Sequence, residues 1–462
     1  MNRRAARVLG IAIAAIGFAA GLAAQLVIQP SGFSLTLPNY GMTPIGQVAG
    51  LEGGAFVARA NDASSNWYNP AGLALAQKSS VSSSAGTYQS FSLIPEQLTR
   101  DDSGGSSQTV PALVGVVVKN LFNDKRWTAG FSVVRTNSFE QETDAQILNL
   151  TSNPGVITDY SADSTYRRNE YSFGVGYACG RAWRFGATLA VANTSLRAVG
   201  SILNQEIQDT GLDALLATRR VSGSITQLRL AAGAQYQLTP EILLGAIARS
   251  PGLDLFRSGE FSYDALGHDA RGTASLAFFD PDPRFDYKLP LEASVGAALE
   301  KERFQVEVDV NFATGSSPYD LFSSERTATL TIDNGSGGPP VVTQETFQNV
   351  ISENDFVANV AVGGSYALTK NRVWTLHFGF NTDFSPVGED DTYFSHVDLY
   401  GLTAGISGSV EGFTAAVGFN YQWGDASNVP LAVNVLNSDI SVKSWAIIYS
   451  LAYRFGGGDS TR

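Results

Sequence analysis

Apolar and polar side chains alternate with a period of two along most of this chain, and this pattern limits the folds available to it. From Phe304 to Phe312 every second residue is apolar, and Glu307 and Asp309 are among the polar residues between them. The same alternation begins again at Phe413. Because successive side chains of a strand point to opposite faces, the pattern predicts β-strands with one apolar and one polar face.

Two architectures are compatible with such strands, a soluble β-sandwich and a membrane β-barrel. The outer face of a sandwich carries ordinary surface charge, but only 16% of these residues are charged. The polar strand faces consist mostly of small residues, Asn and Gln, and aromatic residues such as Trp127, Trp183 and Trp445 lie at predicted strand ends. Short turns alternate with long polar connections. These features are typical of an up-and-down outer-membrane barrel.

The alternation predicts fourteen strands, over residues 78–91, 110–119, 126–138, 166–179, 182–197, 223–238, 241–262, 285–299, 303–315, 353–367, 371–383, 395–409, 411–424 and 442–455. An even number of strands is what a closed bacterial barrel requires. We therefore predict an all-β fold, a 14-stranded antiparallel transmembrane β-barrel over residues 78–455. A lumen of this width is too large for wall side chains alone to fill.

The beginning of the chain predicts export. Arg3, Arg4 and Arg7 precede an apolar run over residues 8–24, which is the layout of a secretory signal peptide over residues 1–24. Extended by four residues, the run could also span a bilayer as an uncleaved anchor. We favour cleavage because no cationic stop-transfer cluster follows.

A glycine-rich segment over residues 25–77 separates the leader from the first strand and lacks strand alternation. We predict that it folds inside the lumen as an N-terminal hatch, or plug. The alternative is a disordered periplasmic tail. Residues 456–462 form a short tail after the last strand.

Three short motifs in this segment resemble a known family. Residues 53–55, 60–64 and 69–73 read Gly-Gly-Ala, Ala-Asn-Asp-Ala-Ser and Asn-Pro-Ala-Gly-Leu. Their order resembles the hatch of the FadL-type outer-membrane family, which includes long-chain fatty-acid and toluene-type hydrocarbon transporters. Weaker matches, such as Leu289-Pro290-Leu291, extend the resemblance over nearly the whole chain. The tail after Phe455 departs from the family, which typically ends at its aromatic residue.

The resemblance implies passive uptake of hydrophobic molecules, either fatty acids or related hydrocarbons, across the outer membrane of a Gram-negative-type bacterium. Molecules would be captured at extracellular loops, pass a pocket over the hatch and leave sideways into the membrane beside a kinked strand. The expected partners are a hydrophobic small molecule and outer-membrane lipid, and the expected state is a monomer without a cofactor. The net charge of −12 argues against nucleic acid, because phosphate repels that sign.

Candidate ligand contacts follow partly from the resemblance. In the family the region after strand five forms a helical extracellular loop, and here residues 201–220 have apolar residues spaced for one helical face. A helix that merely packs on neighbouring loops is the alternative. Phe33 and Leu35 could line the inner pocket or simply anchor the hatch. The full set of predicted ligand contacts is Phe33, Leu35, Leu203, Ile207, Leu212, Leu216, Arg229 and Lys288.

Arg229 and Lys288 enter this set because strand parity points both side chains into the lumen, where a cation could bind a fatty-acid carboxylate. Glu307 or Asp309 could pair with either cation instead, which leaves a neutral hydrocarbon open as the ligand. The parity of Arg197 points it to the lipid.

Within the hatch motif, Asn69, Pro70 and Ala71 are expected to fix the local fold, since Asn bonds to nearby backbone and Pro restricts φ.

Catalysis has little support in the sequence. His268, His377 and His396 are scattered and show no metal-ligand spacing, so we predict that the protein is not an enzyme and binds no metal. Two alternatives remain, a nonspecific hydrophilic porin and an outer-membrane lipid hydrolase that uses His377.

Overall fold

The computed structural model of the chain describes residues 36–41, 44–95, 100–101, 108–149, 155–208, 211–269, 272–335, 337–369, 371–388, 391, 393–432 and 436–455. The predicted signal peptide, Phe33, Leu35 and the tail lie outside these residues. None of the described helices is long and apolar enough to cross a membrane.

Twenty-two strands account for most of the described chain: β1 (Ser79–Pro95), β2 (Arg100–Asp101), β3 (Gln108–Lys119), β4 (Trp127–Asn149), β5 (Gly155–Cys179), β6 (Trp183–Gln208), β7 (Gly211–Gln237), β8 (Ile242–Arg249), β9 (Leu253–Asp269), β10 (Gly272–Asp280), β11 (Arg284–Phe285), β12 (Glu292–Glu300), β13 (Phe304–Ala313), β14 (Ser316–Ser323), β15 (Thr327–Asp333), β16 (Val341–Thr346), β17 (Val350–Asn354), β18 (Val357–Ala367), β19 (Trp374–Asp383), β20 (Leu399–Val410), β21 (Phe413–Ala432) and β22 (Leu436–Phe455). The helices are short: α1 (Ser65–Tyr68) and 3₁₀ turns over Ala49–Leu51, Pro70–Leu75 and Leu121–Asn123.

Fourteen of these strands form a closed antiparallel ring, β1, β3 to β8, β12, β13 and β18 to β22. The ring closes where β1 pairs with β22, from Ser79 opposite Phe455 onward. The prediction of a 14-stranded barrel is confirmed. Outward side chains such as Phe131, Phe173 and Leu189 are exposed, as expected of a surface that faces lipid.

A compact segment that we call the inner segment, residues 36–41 and 44–77, lies against the lumen side of this ring. The turn over Pro70–Leu75 contacts β4 to β7, and the turn over Ala49–Leu51 contacts β19 to β21. Glycines in the wall strands allow the backbone of the inner segment to lie directly against the wall. A Cβ atom at Gly363 would lie 2.1 Å from the carbonyl oxygen of Glu52, and one at Gly186 would lie 2.2 Å from Pro70.

The wall strands β4 to β7 continue well beyond the barrel, to lengths of 23 to 27 residues. Together with β9, β10, β15 and β16 they form one curved sheet on the side of the long connections, which is the extracellular side of such barrels. A separate sheet of β11, β14 and β17 packs beside it. Most of this region was predicted to be loops.

The predicted helix over residues 201–220 is wrong. The described residues of this range, 201–208 and 211–220, belong to the β6–β7 hairpin, in which Leu203 pairs with Leu216. Ile202 and Ala217 are buried while Leu216 is 45% exposed, so the region follows the period of a strand. The apolar residues matched a helical spacing because both arms of the hairpin contribute to one face.

Candidate functional site

The inner segment is joined to the barrel wall by buried charges. Arg59 donates from Nη2 to Glu52 (2.6 Å) and from Nε to Glu307 (2.7 Å). The backbone N–H groups of Phe56 and Val57 donate to Oδ2 of Asp309, at 2.7 and 3.0 Å. Because a buried charge is stable only when it is paired and hydrogen-bonded, this arrangement fixes residues 52–59 against β13.

His377 extends the same network to β19 and β20. Its Nδ1 lies 2.7 Å from Oε1 of Glu52, and its Nε2 lies 2.8 Å from Oγ of Ser407. The order serine, histidine, carboxylate is that of serine hydrolases. All three side chains are buried, and the other oxygen of Glu52 accepts from Arg59.

The hatch motif caps a helical turn and binds the wall. Oδ1 of Asn69 accepts from the N–H of Ala71 (3.1 Å), and its Nδ2 donates to the carbonyls of Val57 (2.9 Å) and Ala234 (3.0 Å). Pro70 occupies the first position of the turn, where its missing N–H costs nothing. These bonds hold the inner segment against β7.

Arg229 points into the lumen, as the parity of β7 predicts, and it is ion-paired. Its guanidinium lies 3.1 Å from Glu170 and 3.1 Å from Glu292. Arg249 also binds Glu292, at 3.0 Å. The prediction that Glu307 or Asp309 pairs with Arg229 is wrong. Both carboxylates accept hydrogen bonds from the inner segment instead.

Lys288 is exposed, and its Nζ lies 4.5 Å from the centre of the Tyr319 ring. The strand parity from which its inward orientation was predicted does not hold here. Residues 286–291 precede β12 and are not part of a wall strand, so strand parity does not apply to them. Tyr287, Leu289 and Pro290 are the buried residues of this stretch.

An apolar cluster fills the extracellular half of the molecule. It includes Phe139, Tyr166, Tyr287 and Phe394, all less than 9% exposed. The hydroxyls of Tyr166 and Tyr287 are hydrogen-bonded at 2.9 Å. Leu37 of the inner segment belongs to the same cluster. The cluster offers an apolar environment that a hydrophobic molecule could enter by displacing side chains.

Asp391 of an extracellular loop orders part of this cluster. Its Oδ1 accepts from the N–H groups of Tyr393 (2.8 Å) and Phe394 (2.7 Å), and its Oδ2 accepts from Ser352 (2.6 Å). Burial raises the pKa of Asp391, and these hydrogen bonds oppose the increase. The carboxyl therefore positions two aromatic side chains.

The barrel wall is interrupted between β3 and β4. Their pairing ends at Leu113 and Val134, although both strands continue. Just beyond, Thr136 is an extra residue in β4, because Arg135 pairs with Asn169 and Asn137 pairs with Arg168. Such a bulge bends a strand.

Residues 136–139 are all buried, so both faces of β4 are covered at this bend. Nε of Arg168 donates to Oγ1 of Thr136 at 2.6 Å, and the Asn137 amide donates to the carbonyl of Asn39. Nδ2 of Asn39 in turn donates to the carbonyls of Asp383 and Val397, both at 2.8 Å. The inner segment thus connects the bend to the opposite wall.

A cavity of about 160 Å³ lies between the inner segment and the wall from β12 to β21. Amide side chains supply much of its polar lining, among them Asn311, Asn359 and Gln422, and Tyr40 and Trp67 supply an aromatic side. Its lining residue Tyr40 packs against the guanidinium of Arg168, which bonds to Thr136 at the bend in β4.

The structure brings few of the predicted ligand residues together. Leu203 and Leu216 lie on the outer face of the extracellular sheet. Ile207 and Leu212 pair in the same hairpin, but their side chains are not among those described. Thr136, Asn39 and Arg168 could not be predicted as site residues, since a single extra residue in a strand leaves no mark on local alternation.

Comparison with known proteins gives a consistent result. Residues 44–456 match the family described as "Outer membrane protein transport protein (OMPP1/FadL/TodX)". A FadL homologue from Pseudomonas aeruginosa is similar over 92% of this chain and 100% of its own, with 15% identity and a TM-score of 0.60. The toluene transporter TodX of Pseudomonas putida is similar over 91% and 100%, with 14% identity and a TM-score of 0.60. No curated protein sequence matches the chain.

Proposed function

Because the chain belongs to the outer membrane transport protein family that includes FadL and TodX, we propose that it is a passive channel for hydrophobic molecules. In this proposal, molecules enter the apolar cluster from the extracellular side and leave sideways into the membrane through the interruption between β3 and β4. Solved relatives described as toluene transporters and as a monoaromatic hydrocarbon channel support this substrate class.

One observation carries the proposal: the wall is interrupted at the bend in β4, and the apolar cluster reaches that bend. Phe139 of the bend and Leu37 of the inner segment both belong to the cluster. An apolar molecule that moves along this path avoids water, and burial of its surface is favourable by about 25 cal/mol per Å². No energy source is needed when the membrane or a downstream enzyme takes up the product.

The inner segment acts as the hatch in this proposal and blocks polar solutes. Its contacts with β13, β19 and β20 through Arg59, Glu52 and His377 support a fixed plug. A nonspecific porin would instead leave the lumen open, and a liposome swelling assay separates the two. We expect slow sugar flux, and fast flux would favour the porin.

Deleting Thr136 tests the lateral exit. The deletion removes the extra residue of β4, which restores regular pairing with β5 and allows the β3–β4 ladder to extend. We expect uptake of a pyrene-labelled alkane to fall at least tenfold, with the heat-modifiable electrophoretic mobility of the folded barrel retained. The matched control is deletion of Ser427, which removes a one-residue bulge between β21 and β22, away from the proposed exit. Unchanged uptake in the Thr136 deletion would refute the exit.

The hydrogen-bonded row Ser407, His377 and Glu52 favours one second candidate, an outer-membrane ester hydrolase. A fluorophosphonate probe tests it directly, because the probe reacts with an activated serine. We expect no labelling, since Ser407 lies beneath the inner segment. Labelling that disappears in both Ser407→Ala and His377→Ala would establish the hydrolase.

A further inference from the structure

The barrel wall has a second interruption, between β9 and β12. β8 pairs with β12 as far as Arg249 and Glu292, and the chain then continues through residues 250–252 into β9. One edge of β9 pairs with β7 along its length, but the other edge pairs with β10 only from Phe261 onward. Over residues 253–260 this second edge has no strand partner in the described part of the chain.

The interruption has a cause in the sequence. The segment before β12, residues 281–291, would have to pair with β9 to complete the wall. Three of its residues are prolines, which lack the N–H that a sheet ladder needs. The segment turns into the lumen instead, and Phe285 and Tyr287 are 0% and 4% exposed. Beside β9 the wall therefore lacks a strand ladder, and the segment is held there by packing of Pro283 against Gly259 and by the ion pair of Asp286 with Arg257.

Exposure along β9 changes at the same place. Residues 253–258 are all exposed, whereas a continuous barrel wall buries every second residue. Leu253 and Phe256 are 64% and 74% exposed. Asp254 and Arg257 are also accessible, with side chains 36% and 37% exposed, so both faces of the strand can be reached from outside.

The height of the opening can be worked out along β8. A tilted strand rises roughly 2.5 Å per residue across the membrane, and the apolar band is about 25 Å tall. Counting from Ile242 at the periplasmic end, about ten residues reach Gly252. The opening therefore lies at the extracellular boundary of the apolar band, where acyl chains of the outer leaflet meet the protein. Tyr287 and Phe285, both members of the apolar cluster, belong to the segment that replaces the wall here.

We propose that this opening is a lateral entrance, through which uncharged hydrophobic compounds dissolved in the outer leaflet reach the apolar cluster. It rests on the proposed function and adds a second source of substrate. Leu253, Leu255 and Phe256 form its apolar outer rim. On its extracellular margin Arg257 ion-pairs with Asp254 at 3.6 Å and with Asp286. Because these charged side chains pair with one another, the margin offers no unpaired charge to a charged ligand and favours a neutral compound.

Phe256→Asp tests the entrance, because a carboxylate on the rim opposes passage of an alkane. Cells that express the protein receive tritiated hexadecane either in the outer leaflet or as a soluble cyclodextrin complex, and arrival at the inner membrane is measured. We expect transfer from the outer leaflet to slow at least fivefold and uptake from the complex to change less than twofold. Phe256→Leu keeps the rim apolar and should retain the normal rate. Phe279→Asp is the control, since Phe279 is 56% exposed on β10 but lies away from the rim.

Three results would overturn the entrance: normal transfer from the outer leaflet in Phe256→Asp, equal slowing of both routes, or a changed molecular mass in detergent. The last would identify the rim as a contact between copies of the chain. The Thr136 deletion keeps this test separate from the proposed function. If that deletion leaves both routes intact, the lateral exit fails; if it abolishes both while Phe256→Asp has no effect, only the entrance fails.

Discussion

Replacing Arg59 with alanine tests how firmly the inner segment is held. The guanidinium binds Glu52 and Glu307 at 2.6 and 2.7 Å and the carbonyl of Ala55 at 3.1 Å, and both carboxylates are 0% exposed. Removing one partner of a buried ion pair costs about 3–5 kcal/mol because the remaining charge stays buried and unpaired. We expect the population of a state with the inner segment detached to rise in Arg59→Ala, within an otherwise intact barrel.

The expected loss of free energy determines which assay can detect it. About 4 kcal/mol corresponds to a roughly thousandfold change in the population of the detached state, at about 1.4 kcal/mol per factor of ten. Amide hydrogen exchange in lipid nanodiscs reports this population. The N–H groups of Phe56, Val57 and Ala58 donate to Asp309 and Glu307. We expect their exchange to accelerate by two to three orders of magnitude, while amides of β20 exchange at the normal rate.

Two control variants complete this experiment. Arg59→Lys keeps the charge but loses the two-pronged geometry, so we expect an intermediate acceleration. Arg126→Ala removes an exposed ion pair with Asp124 in a short turn, and we expect no measurable change. If Arg59→Ala accelerates exchange by less than tenfold, the buried charges do not hold the segment and our interpretation of the network is wrong.

Three further outcomes are expected. Asn69→Ala removes the cap of the Pro70–Leu75 turn and two hydrogen bonds to carbonyls. We expect the inner segment to lose about 1–2 kcal/mol of stability, so protease cleavage within it should increase. Unchanged cleavage would contradict this. Gly363→Val places side-chain atoms against Glu52, so sugar flux in liposomes should rise as the segment is displaced. Gly86→Ala is the control, because a Cβ atom there approaches nothing closer than 4.0 Å, and it should leave flux unchanged. Asp391→Ala frees Tyr393 and Phe394, so the half-saturating concentration for alkane uptake should rise severalfold. Asp391→Asn keeps a hydrogen-bond acceptor and should restore part of the affinity. Equal uptake curves for the parent protein and both variants would argue against the aromatic cluster as the capture site.

The barrel was predictable because its constraint is local. Lipid on one side and lumen on the other impose a strict alternation, and residues such as Phe304 and Phe413 show it without reference to any other strand. The extracellular extensions of β4 to β7 were missed because water covers their outer face, so polar and apolar residues mix there. The helix error over residues 201–220 arose in the same region.

The candidate site was less predictable because it depends on register between distant strands. Parity gives the face of Arg229 but not its partners, Glu170 and Glu292, which come from strands far apart in the chain. The interruption beside Thr136 depends on a bulge, in which two residues of β4 lie opposite one residue of β5. The sequence of either strand alone does not show this mismatch. The prolines before β12 were visible in the sequence, but their effect requires knowing which edge they leave unpaired.

The seam between β1 and β22 has a consequence for how the protein is made. The inner segment precedes the first strand, yet Gly41 bonds to Asp383 and Gln47 to Ser450, across 342 and 403 residues of chain. Contacts this remote in sequence form slowly, because a long loop must close before they stabilise anything. The bond at Gln47 must therefore wait until the final hairpin, β21 and β22, is in place. Addition of β22 both closes the barrel against β1 and forms the last of these bonds to the inner segment.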